Sequence, residues 1–178
     1  EHPVTELITG VDLVEQMIRV AGGEKLPFSQ SDLKINGWAM ESRLYAEDPE
    51  NDDLPSPGTI LHLTAPEGPG VRFDGGIATG SEVGVHYDPL LAKLITWGRD
   101  RMESIEKMRA ALQRTAILGV VTNLARLQAI VAHPEFVAGN LTTGFIEEHL
   151  GELTPHPFPP PEAIAAVARD LDADLVVM

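Results

Sequence analysis

Two short stretches bring histidine and carboxylate together, Glu1-His2-Pro3 and His86-Tyr87-Asp88-Pro89. Such a pairing can move protons or hold a divalent ion, because imidazole titrates near neutrality and both groups ligate metals. The spacing of Glu1, His2, His86 and Asp88 matches no recognised ligand pattern, and surface polarity with an Asp-Pro turn accounts for them as well. No metal ligand is assigned to this chain. Glu41 and Arg43 form a second pair, two residues apart in a stretch of alternating polarity. A guanidinium on a strand face can bind an anion through its planar fork, and a half-exposed cross-strand charge is the alternative. The glycines of Gly75–Gly84 follow a strand but open another strand, so no helix N-terminus awaits a phosphate. With no cysteine in the chain, thiolate zinc sites, cysteine nucleophiles and disulfides are excluded together.

The elements that must position these groups follow from periodicity. Thr9 and Asp12 stand at capping-box spacing before a stripe of Leu13, Val14, Met17, Ile18 and Ala21, and Gly22-Gly23 stops the run, which predicts an amphipathic helix. From Ile35 the period becomes two: Trp38, Met40 and Leu44 alternate with Ala39, Glu41, Arg43 and Tyr45, so Glu41 and Arg43 share one face of a strand. Strands are expected over Thr59–Pro66, Val71–Asp74 and Gly80–Tyr87, separated by Pro/Gly turns. The apolar run Leu90–Gly98, interrupted by Lys93, reads as a central strand covered on both sides. Asp100 and Glu103 open a helix expected to reach residue 117, with Ile105, Met108, Leu112 and Ala116 buried, and further helices are expected in Thr122–His133 and Thr142–Leu150. The fold class is α+β, a mainly antiparallel sheet with helices packed on it.

Length and composition bound the rest. The 178 residues, 43% apolar and 22% charged, suffice for one full-sized domain. A formal charge of −14 without any basic run argues against nucleic acid and anionic membranes as partners. No stretch approaches the roughly 20 apolar residues of a membrane-spanning helix, and a cytoplasmic or organelle-matrix setting is expected. Thr154–Pro161 is expected to be an extended proline-rich spacer, followed by a short helix. Both ends read as cut from a longer chain.

Three stretches, Glu1–Gly23, Gly37–Ile60 and Val83–Arg101, resemble the C-terminal part of biotin carboxylase as found in the biotin-carrying subunit of acyl-CoA carboxylases. The resemblance runs from Glu1 to about Leu150. It implies the tail of an ATP-grasp module at 1–30, a biotin carboxylase C-terminal domain at 31–150, and a linker with the start of a following segment at 151–178. Enzymes of this family use ATP and bicarbonate to make carboxyphosphate and carboxylate biotin tethered on a carrier domain.

Matching motif by motif, the resemblance implies that Glu1 is the general base that deprotonates bicarbonate. Arg43 would bind bicarbonate and stabilise the ureido oxygen of biotin, and Glu41 would orient its fork. Thr143 falls near the adenine side of the ATP pocket, although helix capping would explain it equally. Arg72 falls where relatives build a subunit contact, while Pro69 stands where some of them carry an aromatic. The implied cofactors are biotin, ATP and Mg2+, the last two bound mainly upstream of Glu1, and the isolated fragment is expected to be inactive. The implied partners are a biotin carboxyl carrier domain, a carboxyltransferase subunit and further copies of the chain. A noncatalytic docking domain and another ATP-grasp ligase are the alternatives.

Overall fold

The structure, a computed structural model, describes residues 2–153. Glu1 and the proline-rich segment with its expected helix lie outside the described residues. The chain begins with two helices, α1 (Val4–Thr9) and α2 (Leu13–Ala21). Gly10 ends α1 in the left-handed region at φ 73°, a conformation that costs glycine little, and Asp12 caps α2 by accepting from the Glu15 N–H. Thr9 is thus the last residue of α1 and takes no part in capping α2.

Nine strands follow among the described residues: β1 (Trp38–Tyr45), β2 (Glu47–Asp48), β3 (Leu54–Pro55), β4 (Gly58–Thr59), β5 (His62–Thr64), β6 (Val71–Gly75), β7 (Glu82–Val83), β8 (Leu90–Gly98) and β9 (Ala116–Leu118). The main sheet has the order β1-β8-β6, antiparallel throughout, so the apolar run of β8 is the central strand. Antiparallel register sorts the side chains. Met40, Ser42 and Leu44 line up with Thr96, Leu94 and Ala92 and with Val71, Phe73 and Gly75 on one face. Glu41 and Arg43 line up with Ile95 and Lys93 and with Arg72 and Asp74 on the other.

The first face carries the core. Helix α3 (Arg101–Arg114) lays Met108, Ala111 and Leu112 on Leu44, Ala92 and Leu94, and α4 (Leu124–Ala132) adds Val131. Each fully buried Leu or Met contributes about 1.5–3 kcal/mol over its exposed state, which makes this layer the main source of cohesion. The helices α5 (Pro134–Ala138) and α6 (Phe145–Glu148) complete the order.

Further expectations about element bounds change. Helix α3 stops at Arg114 because Thr115 turns extended (φ −76°, ψ 130°), and Ala116–Leu118 pairs with β5 instead of extending the helical stripe. The strand expected over Thr59–Pro66 is broken into β4 and β5, and only Glu82–Val83 of Gly80–Tyr87 forms a ladder, so three two-stranded pairs accompany the main sheet. The apolar stripe of α2 faces outward, with Met17 69% and Ile18 68% exposed.

Candidate functional site

The second face of the main sheet is polar, and α1 packs on it. Its floor is Ile95, fully buried, and around that floor stand Glu41, Arg43, Lys93, Arg72 and Asp74. Alternation along β1 places Glu41 and Arg43 side by side in direction, and register places Arg43 opposite Lys93. Two cations in neighbouring positions favour an anion between or above them. Asp74 offsets part of that charge, with one oxygen 4.0 Å from Lys93 Nζ and the other accepting from Arg72 Nε at 2.7 Å. The latter hydrogen bond, with Asp74 close by, raises the Arg72 pKa, so Arg72 stays cationic at any working pH.

Arg43 is aimed by its own strand. Its Nε donates to Tyr45 Oη at 2.7 Å, and its guanidinium carbon lies 5.3 Å from the centre of the Tyr45 ring. Residues two apart on a strand share a face, so the strand that carries the arginine also supplies the tyrosine that supports its fork. The backbone beneath is fixed from the other edge of β1. Asn123 Nδ2 donates to the Arg43 carbonyl at 3.1 Å, Asn123 Oδ1 accepts from the Tyr45 N–H at 3.0 Å, and the Asn123 N–H donates to the Tyr45 carbonyl. One amide side chain thus replaces a missing strand.

Glu41 has a different partner from the one expected. Its carboxylate is nine-tenths buried and pairs with His2 Nδ1 at 2.9 Å, while its other oxygen is buried without a protein partner among the described residues. The pair fastens the His2-Pro3 segment to β1. Glu6 does the same further along: Oε1 accepts from the Leu13 N–H at 2.7 Å and Oε2 lies 3.9 Å from Arg72. The His-Pro-Val-Thr-Glu stretch is therefore tied to the Arg43 face at both ends.

The remaining site expectations divide between this face and other places. Arg72 is half-exposed and belongs to the same face as Arg43. Thr143 lies exposed before α6 at a groove of about 230 Å³ with Ile130, Phe136, Leu141 and Ile146. It does not cap the helix, whose cap residue is Gly144. Glu1, the expected base, lies outside the described residues. Tyr45 and Asn123 were missed by sequence reasoning. The period-two pattern did contain Tyr45 on the Arg43 face, whereas nothing local linked Asn123 to a strand 80 residues earlier.

Comparison with known proteins completes this picture. Residues 41–148 match the biotin carboxylase C-terminal domain, and residues 1–29 match the ATP binding domain of the carbamoyl-phosphate synthase L chain. The chain is 46% identical over 156 residues to the mitochondrial methylcrotonoyl-CoA carboxylase subunit alpha of Mus musculus, covering 87% of this chain and 22% of that protein. It is 48% identical over 150 residues to the mitochondrial propionyl-CoA carboxylase alpha chain of Homo sapiens, covering 83% and 21%. The chain thus spans about a fifth of the length of these relatives. Among solved structures, the biotin carboxylase domain of Hydrogenobacter thermophilus 2-oxoglutarate carboxylase, in complex with MgADP, ADP and bicarbonate, superposes with a TM-score of 0.86 at 41% identity, over 88% of this chain and 35% of that one. By sequence match over most of its length and by fold, the chain belongs to the biotin carboxylase C-terminal domain family.

Proposed function

We propose that this chain is the C-terminal part of a biotin carboxylase that carboxylates biotin on a carrier domain with ATP and bicarbonate, as the first half-reaction of an acyl-CoA carboxylase. The observation that carries the reading is the Arg43 fork, held by Tyr45 opposite Lys93 on a polar sheet face. A guanidinium keeps its charge and offers parallel donors, which suits both a bound bicarbonate and the negative charge that grows on the ureido oxygen of biotin. Glu1 would take the bicarbonate proton; the residue next to it, His2, is the one that Glu41 holds to β1. ATP, bound mainly by upstream residues with Mg2+, supplies the phosphoryl group that activates bicarbonate. Thr143, at the apolar groove before α6, would border the adenine side, and Arg72 would serve a contact between copies of the subunit. The partners on this reading are a biotin carboxyl carrier domain and a carboxyltransferase subunit, in the cytoplasm or the mitochondrial matrix.

The test uses the full-length subunit. Arg43→Ala should lower biotin carboxylation by about 10²–10³-fold, the effect of removing a donor that serves a developing oxyanion. Undiminished carboxylation in a folded variant would leave this face a docking surface only.

A further inference from the structure

A second constellation lies away from the sheet, where α5 and α6 meet. His133 closes α4 and caps α5, and its ring packs edge-on against buried Phe145 with centroids 5.2 Å apart. His149 follows α6, its ring 4.3 Å from that of His133 and 4.9 Å from that of Phe145. Three residues on, Glu152 returns its carboxylate to both histidines, with Oε2 at 3.3 Å from His133 Nε2 and Oε1 at 3.5 Å from His149 Nδ1. Hydrogen bonds from His149 and then His133 hold the Glu152 carboxyl below the usual carboxylate range. The turn that aims it is closed by backbone bonds from Glu152 and Leu153 to the His149 carbonyl and anchored by Leu153, which is fully buried.

We propose that His133, His149 and Glu152 form a binding site for a first-row divalent transition metal, zinc in the first place, with the fourth position left to water. One ligand atom from each residue lies within 4.8 Å of the others. Neighbouring ligands around a tetrahedral ion with bonds of about 2.0–2.1 Å stand about 3.3 Å apart, a spacing that His133 Nε2 and Glu152 Oε2 already have, while the 3.5 Å contact of His149 Nδ1 is to the other carboxylate oxygen, so a small rotation of the Glu152 carboxylate completes the set. The donor set of two imidazoles and one carboxylate is of the kind that zinc takes in sites with an open position. His133 is largely buried beside Phe145, and such an apolar wall strengthens a cation's attraction to its anionic ligand.

Loading has one local cost that identifies it. His133 Nδ1 accepts a long hydrogen bond, 3.3 Å, from the Glu135 N–H, which caps α5. A metal on Nε2 leaves the imidazole proton on Nδ1, where it faces that N–H, so the cap must loosen as the ion enters. The affinity is therefore weaker than that of a structural zinc site.

The experiment takes the full-length subunit, freed of nucleotide and metal, and titrates Zn2+ by calorimetry and Co2+ by visible absorption. One equivalent should bind with a tetrahedral Co2+ spectrum, and hydrogen exchange at the Glu135 amide should accelerate on adding Zn2+. The double variant H149N/E152Q leaves His133 and its cap on α5 in place and should weaken that equivalent at least tenfold. H133N, which keeps a capping side chain, should do the same. Absence of binding, equal binding by the variants, or an unaltered Glu135 exchange rate would each overturn the site. Its outcome is independent of the carboxylase reading, because no readout is turnover.

Discussion

At Arg43 the relevant quantity is aim. The long guanidinium side chain has several rotatable bonds, and holding it in one geometry carries an entropic cost that a hydrogen bond from the charged guanidinium, worth about 1 kcal/mol or more, largely offsets. Tyr45 provides that bond and a ring surface beneath the charge. Tyr45→Phe keeps the ring and removes the hydroxyl. In the full-length subunit this variant should lose about fivefold in kcat, corresponding to about 1 kcal/mol. A kcat within error of the parent would show that the Tyr45 hydroxyl does not position Arg43. Glu41 works at the same scale by another route: its bond goes to His2, so it fixes the residue beside the expected base, while Tyr45 accepts from the Arg43 Nε.

Elements decide how these residues stay in place. Helix α3 opens with a charged cap: Asp100 accepts from the Glu103 N–H, and Glu103 accepts from both the Arg99 N–H and its guanidinium while pairing with Lys107. Hydrogen bonds from Arg99, then Lys107, lower the Glu103 pKa to about 2. A carboxyl depressed in the folded state gives stability that is present above its ordinary value near 4.5 and is lost as pH falls toward 2. The Glu103→Gln variant should therefore be less stable than the parent at pH 6, and the gap in thermal midpoint should close between about pH 4.5 and 2. A gap that stays constant across this range would mean that the charge of Glu103 does not matter to the cap. Gly119, just after β9, makes the opposite point, since its function is to lack a side chain. It sits at φ 107°, and a Cβ there would overlap the Thr59 carbonyl oxygen. Gly119→Ala should cost about 2 kcal/mol or more in urea unfolding, combining left-handed strain with a backbone clash. A loss under half of that would show that the β4 region yields easily.

Over the whole molecule the two apolar stripes have opposite fates. Met108 of α3 is fully buried in the core, while Met17 of α2 is 69% exposed. Met108→Ala should destabilise the chain by about 2–5 kcal/mol, whereas Met17→Ser should change it by less than about 0.5 kcal/mol. Comparable losses by chemical denaturation would mean that α2 is buried in solution. The sequence pattern alone made the two helices look alike, because a periodic apolar face records that something covers a helix and not which part of the protein does so.

What could be read from the chain before folding was local and periodic. Alternation put Glu41, Arg43 and Tyr45 on one strand face, because side-chain direction in a strand repeats every two residues, and the mostly apolar run of Leu90–Gly98 marked the central strand. The α+β class followed from the same periods. Contacts between distant residues were decided by tertiary structure: Asn123 against the edge of β1, Glu41 against His2, β9 against β5, and His133 beside Glu152. Each depends on loop closure over many residues, and no local propensity encodes which partner a returning segment will meet.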